Sequence, residues 1–123
     1  MIVLNNFQLV TNATGLSASG PTTLSGGQVL GNTGYGINAS GPLALTGTVV
    51  NGNQGDGVYV SGAATLQMSG CTVARNNGWG VNEFAGNNSV TAEVWNNQVQ
   101  SNGSGGLNFY YYVVVGILAT TML

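Results

Sequence analysis

The sequence predicts an all-β solenoid of about five coils, formed by a single domain that spans residues 1–123. The first observation is a phrase that occurs five times: an apolar residue, two further residues, Asn, a short turn, and Gly followed by another apolar residue. The five asparagines are separated by steps of 20, 21, 23 and 26 residues, a period typical of solenoids. The second observation is the high frequency of Gly and Asn, which oppose helix formation along the whole chain.

The third repeat shows how one coil is expected to fold. In residues 58–61, 64–69 and 71–74, apolar residues alternate with polar ones, which is the period-two pattern of a strand with one buried face. Gly62 and Gly70 separate these segments, and the turn at 76–78 closes the coil. We therefore predict three short strands in each coil of 20–26 residues.

Alignment of the repeats on the Gly-apolar pair predicts columns of like residues inside the stack. The core ladder is expected to contain Leu16, Ile37, Val58, Val81 and Leu107. Two residues further on, the expected column is Ala18, Ala39, Val60, Glu83 and Phe109. Eight residues after the core ladder, Leu24, Leu45 and Leu66 are expected to share a column. No single coil could bury these residues alone, so stacking is required.

The recurrent Asn and Gly are assigned a structural role at the turns. The glycines are expected to supply positive φ angles. The asparagines either act as turn formers, because Asn tolerates the left-handed conformation, or form a hydrogen-bonded side-chain ladder from coil to coil. These turn-ladder residues are Asn12, Asn32, Asn53, Asn76, Asn102, Gly36, Gly57, Gly80 and Gly106.

Two phrases of the chain, NQGDGVYVSGAATLQMSG (53–70) and NNGWGVNEFAG (76–86), carry a family resemblance. They resemble the right-handed parallel β-helix repeat of the pectate-lyase-like superfamily, and the resemblance covers residues from about 9 to about 109. The irregular coil length fits that class, and a parallel crossover is overwhelmingly right-handed. The resemblance implies a polysaccharide-processing lyase, hydrolase or epimerase, which would use several carboxylates. The chain departs from that pattern and is expected to be a short, non-catalytic member.

The charge of the chain excludes several kinds of partner. Only four side chains are charged, and one of them, Arg75, is basic. A single cation excludes the electrostatic footprint of a nucleic-acid-binding protein and of a polybasic lipid-binding surface. The weak net charge of −2 also favours association between copies.

The residues that could carry catalysis are few. The sequence has no His and no Lys, so the usual general bases are missing. Asp56 lies in a turn between two glycines, and Glu93 alternates with apolar residues and is expected to face solvent. Glu83 falls in an inward slot of the alignment, and a bulge or a longer turn is expected to carry it outward because a buried unpaired carboxylate is costly. We predict no catalytic residue, metal site or cofactor, and Cys71 is expected to be a small core residue.

The two ends of the stack suggest self-assembly. No capping segment is evident, and uncapped solenoid ends on a weakly charged body favour head-to-tail stacking into an open filament. The apolar segment 110–123 is expected to form a last strand or an intersubunit contact, and it is too short for a membrane-spanning helix. The intersubunit candidates are Ile2, Val3, Leu4, Phe109, Tyr110, Tyr111, Tyr112, Val113, Val114 and Val115.

The function predicted first is therefore an extracellular or cell-surface structural protein whose partner is itself. No signal peptide is recognised at the N-terminus. The alternative is a carbohydrate-binding or adhesin-type β-helix module, or a fragment of a polysaccharide-processing β-helix protein. For that alternative, the candidate glycan contacts are Tyr35, Tyr59 and Trp79.

Overall fold

The computed structural model describes residues 1–62, 64–86, 90–110, 113–118 and 121–122, and these residues form seventeen strands in three sheets. Sheet A contains β1 (Ile2–Asn5), β4 (Thr22–Ser25), β7 (Leu43–Thr46), β10 (Leu66–Ser69), β13 (Val90–Trp95) and β16 (Val113–Leu118). Sheet B contains β2 (Gln8–Val10), β5 (Gln28–Leu30), β8 (Val49–Asn51), β11 (Thr72–Ala74), β14 (Gln98–Gln100) and β17 (Thr121–Met122). Sheet C contains β3 (Leu16–Ala18), β6 (Ile37–Ala39), β9 (Val58–Ser61), β12 (Trp79–Phe84) and β15 (Gly105–Tyr110).

Each coil contributes one strand to sheet A, one to sheet B and one to sheet C, in that order along the chain. Every strand pair is parallel and joins strands of successive coils, as in the pairing of β6 with β9 and of β9 with β12. The predicted all-β fold, with about five coils and three strands per coil, is confirmed. In segment 110–123, β16 pairs with β13 and β17 pairs with β14, so these strands extend sheets A and B beyond the fifth coil.

The core is a set of apolar columns enclosed by the three sheets. The register places Ile37 beside Val58 and Val58 beside Val81, and all three side chains are fully buried. The same column ends at Leu16 and Leu107, which are only partly buried because they belong to the outer coils. Burial of such columns along the axis is what stabilises a unit that has no core of its own.

One predicted column is wrong by two residues. Leu24 and Leu45 pair in register with each other, but the next member of their column is Met68, and Leu66 pairs with Leu43 instead. Leu66 lies eight residues after Val58, whereas its partner Leu43 lies six residues after Ile37, the register partner of Val58, so the strand is displaced by two positions along the chain. A displacement of two leaves the inward and outward faces unchanged, since side chains alternate with period two.

Two corners of the coil each use one left-handed residue per turn. At the corner between sheets A and B, these residues are Asn6, Gly26, Gly47, Gly70 and Asn96, with φ angles from 51° to 64°. At the corner between sheets B and C, they are Thr11, Gly31, Gly52, Arg75 and Ser101. Each residue of the second set directly precedes a ladder asparagine, so the left-handed position lies one residue before the Asn. Of the two roles left open for the recurrent asparagines, the one in which they adopt the left-handed conformation themselves is therefore not observed.

Candidate functional site

The recurrent asparagines form a buried hydrogen-bonded ladder at the corner between sheets B and C. The Oδ1 atom of Asn53 accepts hydrogen bonds from the backbone N–H of Asn32 at 3.0 Å and from its Nδ2 at 2.8 Å. The Nδ2 of Asn53 donates to Oδ1 of Asn76 at 2.8 Å and to the Val29 carbonyl at 3.3 Å. Equivalent bonds join Asn12 to Asn32 and Asn76 to Asn102. Of the two roles left open by the sequence, the structure shows the ladder.

The asparagine ladder explains why Gly is required four residues after Asn32, Asn53 and Asn76. A Cβ placed on Gly57 would lie 2.7 Å from Asn76 Nδ2, 2.7 Å from the Gly80 carbonyl oxygen and 2.8 Å from Val73 Cγ1. Gly36 and Gly80 meet the equivalent atoms of the next coil at similar distances. None of these three has a positive φ, so the expected reason for Gly at these positions is wrong. Glycine is required because backbone and amide approach so closely that no side chain fits.

The outer surface of sheet C carries most of the aromatic side chains of the described chain and is called here the aromatic face. It is the surface that combines ring systems with neutral amides, whereas the outer surface of sheet A carries mainly small polar residues such as Thr23 and Gln67. Apolar rings beside a few well-placed polar groups are the usual make-up of a small-molecule or sugar site. The residues of the aromatic face are Tyr35, Asn38, Asp56, Tyr59, Trp79, Asn82, Phe84, Asn108 and Tyr110. Asp56, at 9% exposure, is the one buried residue among them.

A continuous line of hydrogen bonds runs along this face from coil to coil. Asn108 Nδ2 donates to Asn82 Oδ1 at 3.0 Å, and Asn82 Nδ2 donates to Asp56 Oδ2 at 2.9 Å. The other oxygen of Asp56, Oδ1, accepts the backbone N–H of Trp79 at 2.7 Å. Both oxygens of this carboxylate are therefore bound to uncharged donors of the protein, and Asp56 fixes the entry of the chain into β12.

Aromatic rings accompany this polar line: Tyr59 lies in the same row of sheet C as Asn82 and Asn108, and Phe84 and Tyr110 lie two residues further along their strands. Tyr35 and Tyr59 stack with their centroids 5.1 Å apart and their planes 12° apart, and Phe84 stacks with Tyr110 at 5.7 Å. The ring of Trp79 lies over Gly105, where a Cβ would come within 2.5 Å of its Cζ3 atom. Phe84 and Tyr110 are 38% and 48% exposed. Tyr35, Tyr59 and Trp79 thus share one surface, and their contact with a glycan stays a prediction.

Glu83 lies inside the protein, and the expectation that a bulge or a longer turn carries it outward is wrong. Strand β12 keeps an uninterrupted register from Val81 to Phe84, which places Glu83 between Val60 of β9 and Phe109 of β15. Its side chain is 1% exposed, and neither carboxyl oxygen has a hydrogen-bond partner among the described residues. Burial raises the pKa of Glu83 to about 7, because the charged form is poorly solvated there.

The remaining polar and reactive groups lie away from the aromatic face. Glu93 is exposed on sheet A and accepts a hydrogen bond from Gln67 Nε2 at 3.2 Å. Arg75 is exposed at the corner between sheets B and C. Cys71 is a buried core residue, as predicted, and burial raises the pKa of its thiol, which disfavours the reactive thiolate. The described residues contain no cluster of three metal-ligating side chains.

The depression found on sheet A is too small for a typical ligand site. This depression of about 120 Å³, lined by Pro21, Thr23, Pro42 and Ala44 among others, is smaller than the roughly 300–1,000 Å³ of a typical ligand site. Within the part of the chain that the structure describes, no helix is long and apolar enough to cross a membrane.

The intersubunit candidates lie at both ends of the stack. Ile2, Val3 and Leu4 form β1, the edge strand of sheet A, and Val3 is 53% exposed. Phe109 and Tyr110 end β15, and Val113, Val114 and Val115 begin β16. Tyr111 and Tyr112 lie outside the described residues.

Sequence reasoning missed the polar half of the aromatic face and one buried amide. Asn82 and Asn108 were recognisable only as outward positions of their strands, and their bonds to Asp56 follow from the register. Asn97 is 2% exposed at the corner between sheets A and B, where its Oδ1 accepts the Cys71 N–H at 2.8 Å and its Nδ2 donates to the Met68 carbonyl at 3.1 Å. It sits outside the repeated phrase, so no periodic signal marked it.

The topology and the comparison with solved structures define the chain as a right-handed parallel β-helix protein, in agreement with the predicted resemblance. The crystal structure of the periplasmic alginate epimerase AlgG is similar over 99% of this chain, with a TM-score of 0.81 and 19% sequence identity. A T265N mutant of the same epimerase is similar over 97% of this chain, with a TM-score of 0.71 and 17% identity. This chain spans 36% of the length of each. Neither a protein-family model nor a curated protein sequence matches the chain.

Proposed function

We propose that the aromatic face binds a polysaccharide chain. The observation that carries the proposal is the arrangement of two ring stacks and Trp79 beside the hydrogen-bonded line of Asn108, Asn82 and Asp56. Sugar rings present C–H faces that pack on aromatic rings and hydroxyl groups that exchange hydrogen bonds with amides. A parallel β-helix repeats these groups along its axis at the spacing of successive coils, about 4.8 Å, which suits an extended polymer.

We propose binding without turnover. Hydrolysis of a glycosidic bond requires two carboxyl groups roughly 5–9.5 Å apart on either side of the bond. The three acidic residues of this chain are Asp56 two residues before β9, Glu83 in the core and Glu93 on the outer surface of sheet A. Their positions in three different parts of the protein support a binding role. The periplasmic location of the similar epimerase supports a location outside the cytoplasm for this protein as well.

Replacement of Tyr59 by alanine is expected to weaken glycan binding about tenfold, and Tyr35→Ala should act similarly because the two rings stack. A glycan array on the wild-type protein identifies the ligand, and titration calorimetry measures each variant. Trp95→Ala is the matched control, since Trp95 is 37% exposed on sheet A, away from the aromatic face. Equal losses in all three variants, or an array without any bound glycan, would contradict the proposal.

A second function, head-to-tail assembly, is favoured by the exposure of apolar side chains in the first coil. Leu4, Leu9 and Leu16 continue core columns whose inner members are fully buried, yet they are only partly buried themselves. We propose that a second copy covers this surface. Such a heterologous contact would propagate into a filament.

Assembly is tested by sedimentation and negative-stain microscopy across protein concentration. A Leu4→Lys variant places a charge facing inward on the edge strand β1, a device that blocks edge pairing, and it should yield monomers. Deletion of residues 110–123 should do the same from the other end. A Thr23→Lys variant, which adds the same charge to an outward position of β4, should assemble normally. Monomeric wild-type protein at every concentration would exclude this second function.

A further inference from the structure

We propose that the aromatic face selects uncharged sugar chains and rejects acidic ones. The inference rests on the proposed function, because it names the chemical class of polymer that the same face would bind. Three observations support the inference. They are the position of the one basic side chain, the uncharged hydrogen-bond partners of Asp56, and the neutral character of the remaining polar groups.

The one basic side chain of the sequence lies away from the aromatic face, where it cannot bind an acidic polymer held on that face. Arg75 is the only basic side chain of the sequence, and it is exposed at the corner between sheets B and C, not on the aromatic face. Carboxylate recognition in proteins relies on Arg or Lys, whose charge-assisted hydrogen bonds are about twice as strong as neutral ones. A polymer with one carboxylate per sugar would therefore lose hydration on this face without gaining a charged partner.

The only charged group on the aromatic face is negative. Asp56 receives its two hydrogen bonds from the backbone N–H of Trp79 and the amide of Asn82, and both donors are uncharged. Its charge is therefore not neutralised by a neighbouring cation. Together with the net charge of −2, this produces a potential that repels anions.

The other polar groups match hydroxyls. Asn38, Asn82 and Asn108 lie in one row of sheet C with Tyr59, and each amide both donates and accepts, as a sugar hydroxyl does. The rings of the face need no charge to pack against the C–H groups of a sugar. A neutral polymer thus meets complementary chemistry along the whole row.

The test compares oligosaccharides that differ only at C6. The pairs are β-1,4-mannohexaose with β-1,4-hexamannuronate and cellohexaose with β-1,4-hexaglucuronate. Each oligosaccharide is titrated calorimetrically into the 123-residue chain at low and high salt. In at least one pair, we expect the neutral oligosaccharide to bind at least tenfold more tightly than its acidic counterpart at low salt. The difference should narrow at high salt, because the Debye length falls and repulsion is screened.

Two lysine variants separate local charge from total charge. Asn38→Lys puts a cation in the polar row and should strengthen binding of the acidic member about threefold, a value in the range of an exposed ion pair. Thr23→Lys adds the same charge on sheet A and should leave both affinities unchanged.

Equal or tighter binding of the acidic member overturns the inference, and so does binding of none of the four oligosaccharides. The glycan array on the wild-type protein reports separately on the proposed function. A bound acidic glycan whose affinity depends on Tyr59 would preserve that function and reject the selectivity for neutral chains. An array without any bound glycan would reject the function itself.

Discussion

Replacement of Asn53 by alanine is expected to lower the free energy of unfolding by about 4 kcal/mol, a large part of the roughly 5–15 kcal/mol of a typical domain. The substitution removes four hydrogen bonds at once. The backbone N–H and the side-chain amide of Asn32 both lose their acceptor, and the Val29 carbonyl loses its donor. All of these groups are buried, and an orphaned buried group costs about 1–3 kcal/mol.

Denaturant unfolding monitored by circular dichroism measures this loss. The matched control is Asn77→Ala, because Asn77 follows a ladder residue directly but is exposed and makes one side-chain hydrogen bond, to Gln54 Oε1 at 2.7 Å. That control should cost no more than about 0.5 kcal/mol, as for most surface substitutions. If Asn53→Ala costs as little as the control, the ladder does not contribute to stability in the way its geometry implies.

The sequence was sufficient for the architecture because every coil repeats the same phrase. The sequence alone aligns Ile37, Val58 and Val81 in one column, because each follows a recurrent Gly at a fixed distance from a recurrent Asn. The register of the strands agrees with this alignment. The phrase covers the corner between sheets B and C and the start of the strand that follows. Near that corner, Asn and Gly occupy the same positions in successive coils. This identity makes the alignment of the repeats reliable there, and it also allows the asparagine ladder to form.

Prediction failed where the coils differ in length. The repeat aligns Leu66 with Leu45, but it pairs with Leu43, because the chain takes two more residues to pass from sheet C to sheet A in this coil than in the one before. Alternation of apolar and polar residues cannot detect this shift, since a slip of two positions preserves the buried face. The reason for glycine at position 57 was equally hidden, because the atoms that exclude a side chain belong to residues of the next coil.

The aromatic face was only partly accessible to sequence reasoning. The sequence offers Tyr35, Tyr59 and Trp79 as candidate glycan contacts, but it does not predict the hydrogen-bonded line beside them. The bond between Asn82 and Asp56 joins positions 26 residues apart. Such a contact follows from the coil register, which the irregular coil lengths leave ambiguous in the sequence.

Replacement of Glu83 by valine is expected to raise the free energy of unfolding by about 3 kcal/mol at pH 8. This value follows from a pKa that is raised from 4.5 to about 7, at about 1.4 kcal/mol for each pH unit. Its neighbours in the column are Val60 and Phe109, so a valine continues an apolar column. A valine there also removes two buried oxygens that have no hydrogen-bond partner among the described residues.

The same carboxyl should make wild-type stability fall as pH rises. Below pH 4.5 the carboxyl is protonated in both the folded and the unfolded state, so burial of a charge costs nothing. Between pH 4.5 and about 7 the unfolded chain releases the proton while the folded chain keeps it, so each step in pH favours unfolding. Above pH 7 the full penalty is reached and the curve levels off.

Few titratable side chains lie on the strands that pack around Glu83. Tyr59 of β9 and Tyr110 of β15 lie on the outer surface of sheet C, and β11 carries no titratable side chain. Asp56 is 9% exposed, and both of its oxygens accept hydrogen bonds on the aromatic face; the sequence contains no His. A fall in stability between pH 5 and 7 can therefore be assigned to Glu83.

Urea unfolding at a series of pH values from 5 to 7.5 measures the effect. Glu83→Gln should abolish the pH dependence without filling the column, which separates the cost of the charge from the cost of imperfect packing. Glu93→Gln, which alters an exposed carboxyl on sheet A, should retain the wild-type fall. A wild-type curve that stays flat across this range, or a Glu83→Gln curve that still falls, would show that the carboxyl is solvated or paired in solution. Either result would contradict the burial of an unpaired Glu83 carboxyl group in the core.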